Sequence, residues 1–164
     1  MNRRHLFLAI LFVCAGLLAG ALYLQEVENL APCPLCVGQR IAYWLVGLVA
    51  LVGFIHTPPG RAAARLYSAL IVAFAVVGAA VAIRQEWIII HAKPGGCSMA
   101  ISPEEKLLNA LPLAQWWPSM FEAAGDCASV TWTFISLSIP EWSLIWFVIL
   151  AGAGVYAGVA KSQK

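Results

Sequence analysis

Long uncharged apolar runs alternate with short polar stretches along this chain, and their lengths predict helices that cross a membrane. Leu6–Leu24, Leu66–Ile83 and Leu144–Ala160 contain no charged residue. At about 1.5 Å rise per residue, each comes close to the roughly 30 Å of a hydrocarbon core. A fourth run, Ile41–Ile55, is shorter. It spans comfortably only if its helix begins earlier, within the stretch Pro32-Cys33-Pro34-Leu35-Cys36-Val37-Gly38-Gln39-Arg40. The pattern predicts an all-α membrane protein: a four-transmembrane-helix bundle with two external loops and a short interfacial helix. The expected spans are about 6–24, 38–56, 66–84 and 143–160, in a single integral membrane domain over 1–164, with loops of about 25–37 and 85–142.

Composition agrees: 62% of the 164 residues are hydrophobic and 11% charged, against about 25% charged in an ordinary soluble domain. The placement of charge orients the bundle. Four spans put both termini on one side with the short loop His56–Arg65, and that side holds Arg3, Arg4, Arg61, Arg65, Lys161 and Lys164. The opposite side holds Arg40, Arg84, Lys93 and Lys106, and all eight acidic residues. The excess of Lys and Arg makes the termini cytoplasmic and the two longer loops external. Met1–Arg4, the first apolar run and Ala19-Gly20-Ala21 also resemble a cleavable signal. The run continues to Leu24, which suits a retained span better than a signal core.

In the external loops, prolines bracket Cys33. Proline is favoured at the first helical position, where its missing N–H costs nothing, so Pro34 at that position makes Cys33 the N-cap and starts the second helix at Pro34. Lys93-Pro94-Gly95-Gly96 is a turn that delivers Cys97. Ser102-Pro103-Glu104-Glu105 reads as a capping box opening a short helix through Leu111. Leu113–Phe121, with Trp116, Trp117, Met120 and Phe121, reads as a segment along the membrane surface. The tryptophans have a simple interpretation as interface anchors, and His5, His56 and His91 as interfacial or solvated side chains. There is no internal repeat, low-complexity tract or nucleotide-binding motif, and nothing points to nucleic acid.

Four of the five cysteines, Cys33, Cys36, Cys97 and Cys127, lie in the external loops; Cys14 lies mid-helix, as a small hydrophobe. A Cys-x-x-Cys pair serves as a redox couple, half a zinc site or a haem attachment point. Val37 stands where haem attachment needs histidine. A thiolate in the first turn of a helix is favoured by the dipole and the free backbone N–H groups. Arg40 lies one turn deeper on the face of Cys36, either as a cation for the site or as an anchor snorkelling to head groups. Two pairs on one membrane face permit thiol–disulfide exchange from one to the other. The close pair is placed to meet a lipid-soluble oxidant, the distant pair a soluble protein. Four external cysteines allow three pairings, and spacing does not choose among them.

Pro32-Cys33-x-x-Cys36-x-x-x-Arg40 after a first span, with Cys97 and Gly125-Asp126-Cys127 in the second external loop, resembles the DsbB family of bacterial inner-membrane disulfide bond formation proteins. Trp117-Pro118, Trp132, Phe134 and Pro140-x-Trp142 extend the resemblance over essentially the whole chain. It implies a protein-disulfide:quinone oxidoreductase of the inner membrane, which reoxidises a periplasmic DsbA-like thiol oxidant and reduces ubiquinone or menaquinone. It implies that Cys97 takes the attack of the partner thiolate, and that Cys127 is its disulfide partner and exchanges with Cys33. Cys36 is then the thiolate facing the quinone and Arg40 assists quinone binding, with Arg84 and Gln85 near the same depth. The contrasting class is a non-catalytic membrane protein with structural disulfides or a four-cysteine zinc site. A second close Cys-x-x-Cys is missing for zinc, and a loop as small as Cys33–Cys36 gains little from bracing.

Overall fold

A computed structural model describes residues 3–30, 32–56, 60–91, 116–121, 125, 127 and 133–159. Four long helices form the bundle: α1 (Arg3–Val27), α2 (Pro34–His56), α3 (Arg61–His91) and, last in the chain, α5 (Ile139–Val159). All four are long and apolar enough to cross a membrane. A single turn, α4 (Pro118–Phe121), and a hairpin of β1 (Thr133–Phe134) and β2 (Leu137–Ser138) lie between α3 and α5. The hairpin is antiparallel, with Thr133 opposite Ser138. Cys97, Lys93–Gly96 and the expected helix from Ser102 to Leu111 lie outside the described residues.

Small residues set how closely the helices approach. α3 packs most extensively on α5, and then on α2, which packs on α1. At Gly78 a Cβ would run into the Phe147 ring; at Gly154 it would lie 2.9 Å from Ile71 Cγ2. Gly53 of α2 faces the Phe7 ring, and Gly47 faces Cys14, which is buried as a small apolar filler. Tyr43 stacks on Phe147 at 4.2 Å between centroids, and its hydroxyl reaches the Ser143 carbonyl at 3.1 Å. Phe12, Leu48, Val52, Val76, Val77 and Val148 face outward. Such an apolar exterior on every long helix suits hydrocarbon and not water.

The helices differ from expectation mainly at their outer ends. α1 ends at Val27, with Asn29 in the left-handed region (φ 52°), as a helix terminator takes. α3 continues past Arg84 and Glu86 to His91, because Gln85 turns inward and Ile88 and Ile89 are half-buried. His91 stacks on Trp87 at 4.1 Å. α5 begins at Ile139, four residues before the expected span. Its start is a capping box: the Glu141 carboxylate accepts from Ser138 N–H at 2.7 Å and Ser138 Oγ from Glu141 N–H at 3.4 Å. The hairpin before it was not expected. Its turn residues Ile135 and Ser136 both take positive φ (54° and 63°).

Candidate functional site

The N-terminal end of α2 gathers several buried polar groups of the bundle. Cys33 is the N-cap: its carbonyl accepts from Val37 N–H at 3.0 Å and its sulfur from Cys36 N–H at 3.3 Å. A thiol thus takes the place of the Ser, Asp or Asn oxygen that usually satisfies this free N–H. The geometry folds Cys33 Sγ back over the first turn, where it donates to Cys36 Sγ at 3.0 Å. The segment between α3 and α5 comes to the same point. Gly125 N–H donates to the Pro32 carbonyl at 3.0 Å, and the Cys127 side chain hydrogen-bonds Cys33. Cys33 and Cys36 are both reduced thiols. Hydrogen bonds to Cys127 and Cys36, together with burial, push the Cys33 thiol far up from its ordinary value, so Cys33 keeps its proton between two other sulfurs.

Cys36 receives a second donor from α3, since Gln85 Nε2 lies 3.2 Å from Cys36 Sγ. Gln85 Oε1 in turn accepts from Gln39 Nε2 at 2.8 Å. Both amides are buried. On the other flank of Cys36, Arg40 turns toward α1. It donates to Gln25 Oε1 at 2.8 Å, to the Ala21 carbonyl at 3.4 Å and to the Met120 carbonyl of α4 at 3.4 Å. Arg40 is 7% exposed, which decides between its two readings: it faces the bundle interior, not lipid head groups. α4 is itself held by Met120, fully buried, and by an edge contact of Trp117 with Trp44 at 6.3 Å. The expected surface segment is therefore anchored into the bundle at its last turn.

Several of these groups line a cavity of about 620 Å³ between α1, α2, α3 and α5. Cys33, Cys36, Gln39, Arg40, Tyr43 and Gln85 are among its polar lining, and aliphatic side chains of α1 are among its apolar lining. Phe134, Pro140 and Trp142 close it from the hairpin side, with Trp142 Nε1 bonded to the Phe134 carbonyl at 3.0 Å. A cavity of this size, apolar with a few convergent polar groups, fits a small amphipathic molecule.

Of the residues picked from sequence, Cys33, Cys36, Cys127, Arg40 and Gln85 come together here. Arg84 does not: it is exposed and does not line the cavity. Cys97 lies outside the described residues. Gln39, Gln25 and Tyr43 line the cavity but were not anticipated. Gln39 had a local signal, since three residues after Cys36 puts it on the same face of the helix.

The family model of disulfide bond formation protein DsbB matches residues 3–157. A disulfide bond formation protein B of Nitrosospira multiformis is 58% identical over 163 residues, covering 98% of this chain and 94% of that protein. One from Nitrosomonas eutropha is 52% identical over 161 residues, covering 98% and 96%. Disulfide bond formation protein B 1 of Pseudomonas aeruginosa is 40% identical over 153 residues, covering 93% and 92%.

Proposed function

The chain belongs to the DsbB family of disulfide bond formation proteins, and from that premise we propose that it reoxidises a DsbA-like periplasmic dithiol and passes the electrons to a membrane quinone. Membership makes it a disulfide oxidoreductase with four membrane-spanning helices. The quinone, the partner and the placement in the inner membrane with cytoplasmic termini are our reading.

The observation that carries it is one sulfur in contact with two others beside a cavity: Cys33 bonds both Cys36 and Cys127, and Cys36 lines the cavity. In the proposed relay, a partner thiolate attacks Cys97 in a Cys97–Cys127 disulfide, releasing Cys127 as thiolate. The second partner thiol then attacks the mixed disulfide, leaving oxidised partner and reduced Cys97. Cys127 attacks Cys33 of a Cys33–Cys36 disulfide and releases Cys36 as thiolate. Cys97 then resolves the Cys127–Cys33 bond, restoring the first disulfide and leaving Cys33 and Cys36 reduced. Two electrons and two protons have moved from the partner to the close pair. A bound quinone supplies the two-electron acceptor that returns this pair to its disulfide. Arg40 and Cys36 would hold its head group, with Gln85 beside them, and the apolar lining of the cavity would suit its tail. Ubiquinone and menaquinone both suit such a lining.

A zinc site suits the geometry less well. Two thiolates on tetrahedral zinc, at about 2.3 Å from the metal, sit about 3.8 Å apart, whereas Cys33 and Cys36 are 3.0 Å apart. The test is oxidation of reduced DsbA by the purified protein with ubiquinone. Cys36→Ser should abolish quinone reduction; normal quinone turnover in that variant would end the relay.

A further inference from the structure

We propose that Gln39 is a positioning residue, holding the Gln85 side-chain amide turned so that its N–H group faces the Cys36 sulfur. The inference rests on the reading of Cys36 as the sulfur that meets the quinone, and it deepens that reading.

Positions three and four after Cys36 flank it on α2, and the two side chains diverge. Arg40 goes to α1, and Gln39 goes to α3. Gln39 and Gln85 are 4% and 5% exposed. A buried amide is costly unless hydrogen-bonded, so two facing amides in a membrane bundle need partners, and they find each other. Gln39 Nε2 takes Gln85 Oε1 at 2.8 Å. Gln85 Nε2 then donates to the Cys36 sulfur at 3.2 Å, while Gln85 Oε1, already engaged by Gln39, accepts only a longer contact from that sulfur at 3.6 Å.

The orientation matters chemically. An amide N–H stabilises a sulfur that carries negative charge; an amide oxygen aimed at the same atom favours the protonated thiol. A primary amide offers either face after a half-turn of its last torsion. Gln85 alone does not choose between them, and the donor from Gln39 does. Cys36 Sγ then accepts from Cys33 Sγ–H on one side and Gln85 N–H on the other, an arrangement suited to releasing and receiving charge as the disulfide opens and closes.

Among the described residues, the other charged and titratable groups near Cys36 are engaged elsewhere, flank it or are exposed. Cys33 and Arg40 flank it on α2, and Cys127 lies beyond Cys33. Glu86 of α3 is engaged by Ser138 Oγ at 3.1 Å, and Glu141 of α5 caps its own helix. Tyr43 is bonded to Ser143, and Glu26 and Glu28 at the end of α1 are exposed.

The experiment follows alkylation of Cys36 by iodoacetamide against pH, read by peptide mass spectrometry, in the reduced, quinone-free full-length protein. Gln39→Leu should move the midpoint upward by about one pH unit, a roughly tenfold loss of thiolate at a given pH below it. Gln85→Leu should do at least as much. The double variant should go no further than Gln85→Leu, because Gln39 acts through it. Gln39→Met, measured alongside with a melting curve for each protein, guards against a variant that fails to fold. An unmoved midpoint in folded Gln39→Leu or Gln39→Met would overturn the proposal. So would shifts that add in the double variant. The measurement needs neither quinone nor thiol partner, so its failure is distinguishable from normal quinone turnover in Cys36→Ser, which would instead end the relay.

Discussion

Where α3 crosses α5 away from the cysteines, Gly154 admits Ile71 and Gly158 admits Ser68, and the helices are held by shape. At the N-terminal end of α2, Gln39, Arg40 and Gln85 are buried, and the contacts there are hydrogen bonds from α2 to α1, α3 and α4. Tyr43 joins the two regions, stacked on Phe147 below and bonded to Ser143 beside the cavity. In hydrocarbon, apolar burial gives little drive for helices to associate, so close packing of small residues supplies it. A polar cluster in the same setting is costly to assemble, and its presence marks function more than stability. The two regions should therefore respond differently to substitution, one in stability and the other in chemistry.

The largest separation should come from Arg40→Met. Its charge-assisted hydrogen bonds tie α2 to Gln25, Ala21 and Met120, and each such bond is worth about 1.5–3 kcal/mol. Loss of the cation from the cavity lining should raise the quinone KM roughly ten- to a hundredfold, the equivalent of one charge-assisted hydrogen bond to the quinone head group, as steady-state kinetics over a range of quinone concentration would measure. An unchanged KM would remove Arg40 from the site and leave it a brace for α1 and α4.

How far this division was legible in the sequence depends on whether the signal was local. Pro34 at the first helical position and Cys33 as N-cap follow from one turn of chain, and α2 starts there. Spanning length follows from uncharged runs, and the four long helices appear. The direction of Arg40 is a tertiary matter: Cys36 and Arg40 share a face whichever helix lies alongside. Gln85 sits 46 residues from Gln39 and meets it only once α2 packs on α3. The Ser138-x-x-Glu141 cap was present in the sequence and missed, because the apolar run that defines the span begins at Leu144. The hairpin had no such signal. Its turn uses Ile135 and Ser136 where positive φ ordinarily calls for Asn or Gly.

The packed region offers the converse test. In Gly154→Val the added Cβ meets Ile71 Cγ2 at 2.9 Å and Val72 Cγ2 at 3.0 Å, from two residues one after the other on α3. Overpacking of this kind costs about 1–3 kcal/mol, so thermal melting in detergent should fall by several degrees. Turnover per folded molecule should stay at the parent value, since Gly154 does not line the cavity. A loss of turnover at full folding would mean that the α3–α5 contact transmits to the site, and the division into two regions would fail.

The smallest expected effect concerns Cys33, which lies just outside the span. Hydrogen bonds to Cys127 and Cys36 raise its thiol above the ordinary value. A folded-state pKa raised this way means the folded protein holds the proton through the window where a free thiol, at about 8.5, gives it up. Between about pH 8 and 9.5, iodoacetamide should therefore modify Cys36 while Cys33 stays largely unlabelled. Cys127→Ala removes the first of the two hydrogen bonds and should bring Cys33 labelling down toward that window, by a fraction of a pH unit to about one unit. The Cys36–Cys33 bond and burial remain in that variant, so the change should be partial. Equal labelling of Cys33 in both proteins would mean that Cys127 does not bear on it in solution, and the contact that links the loop to the close pair would be lost from the argument.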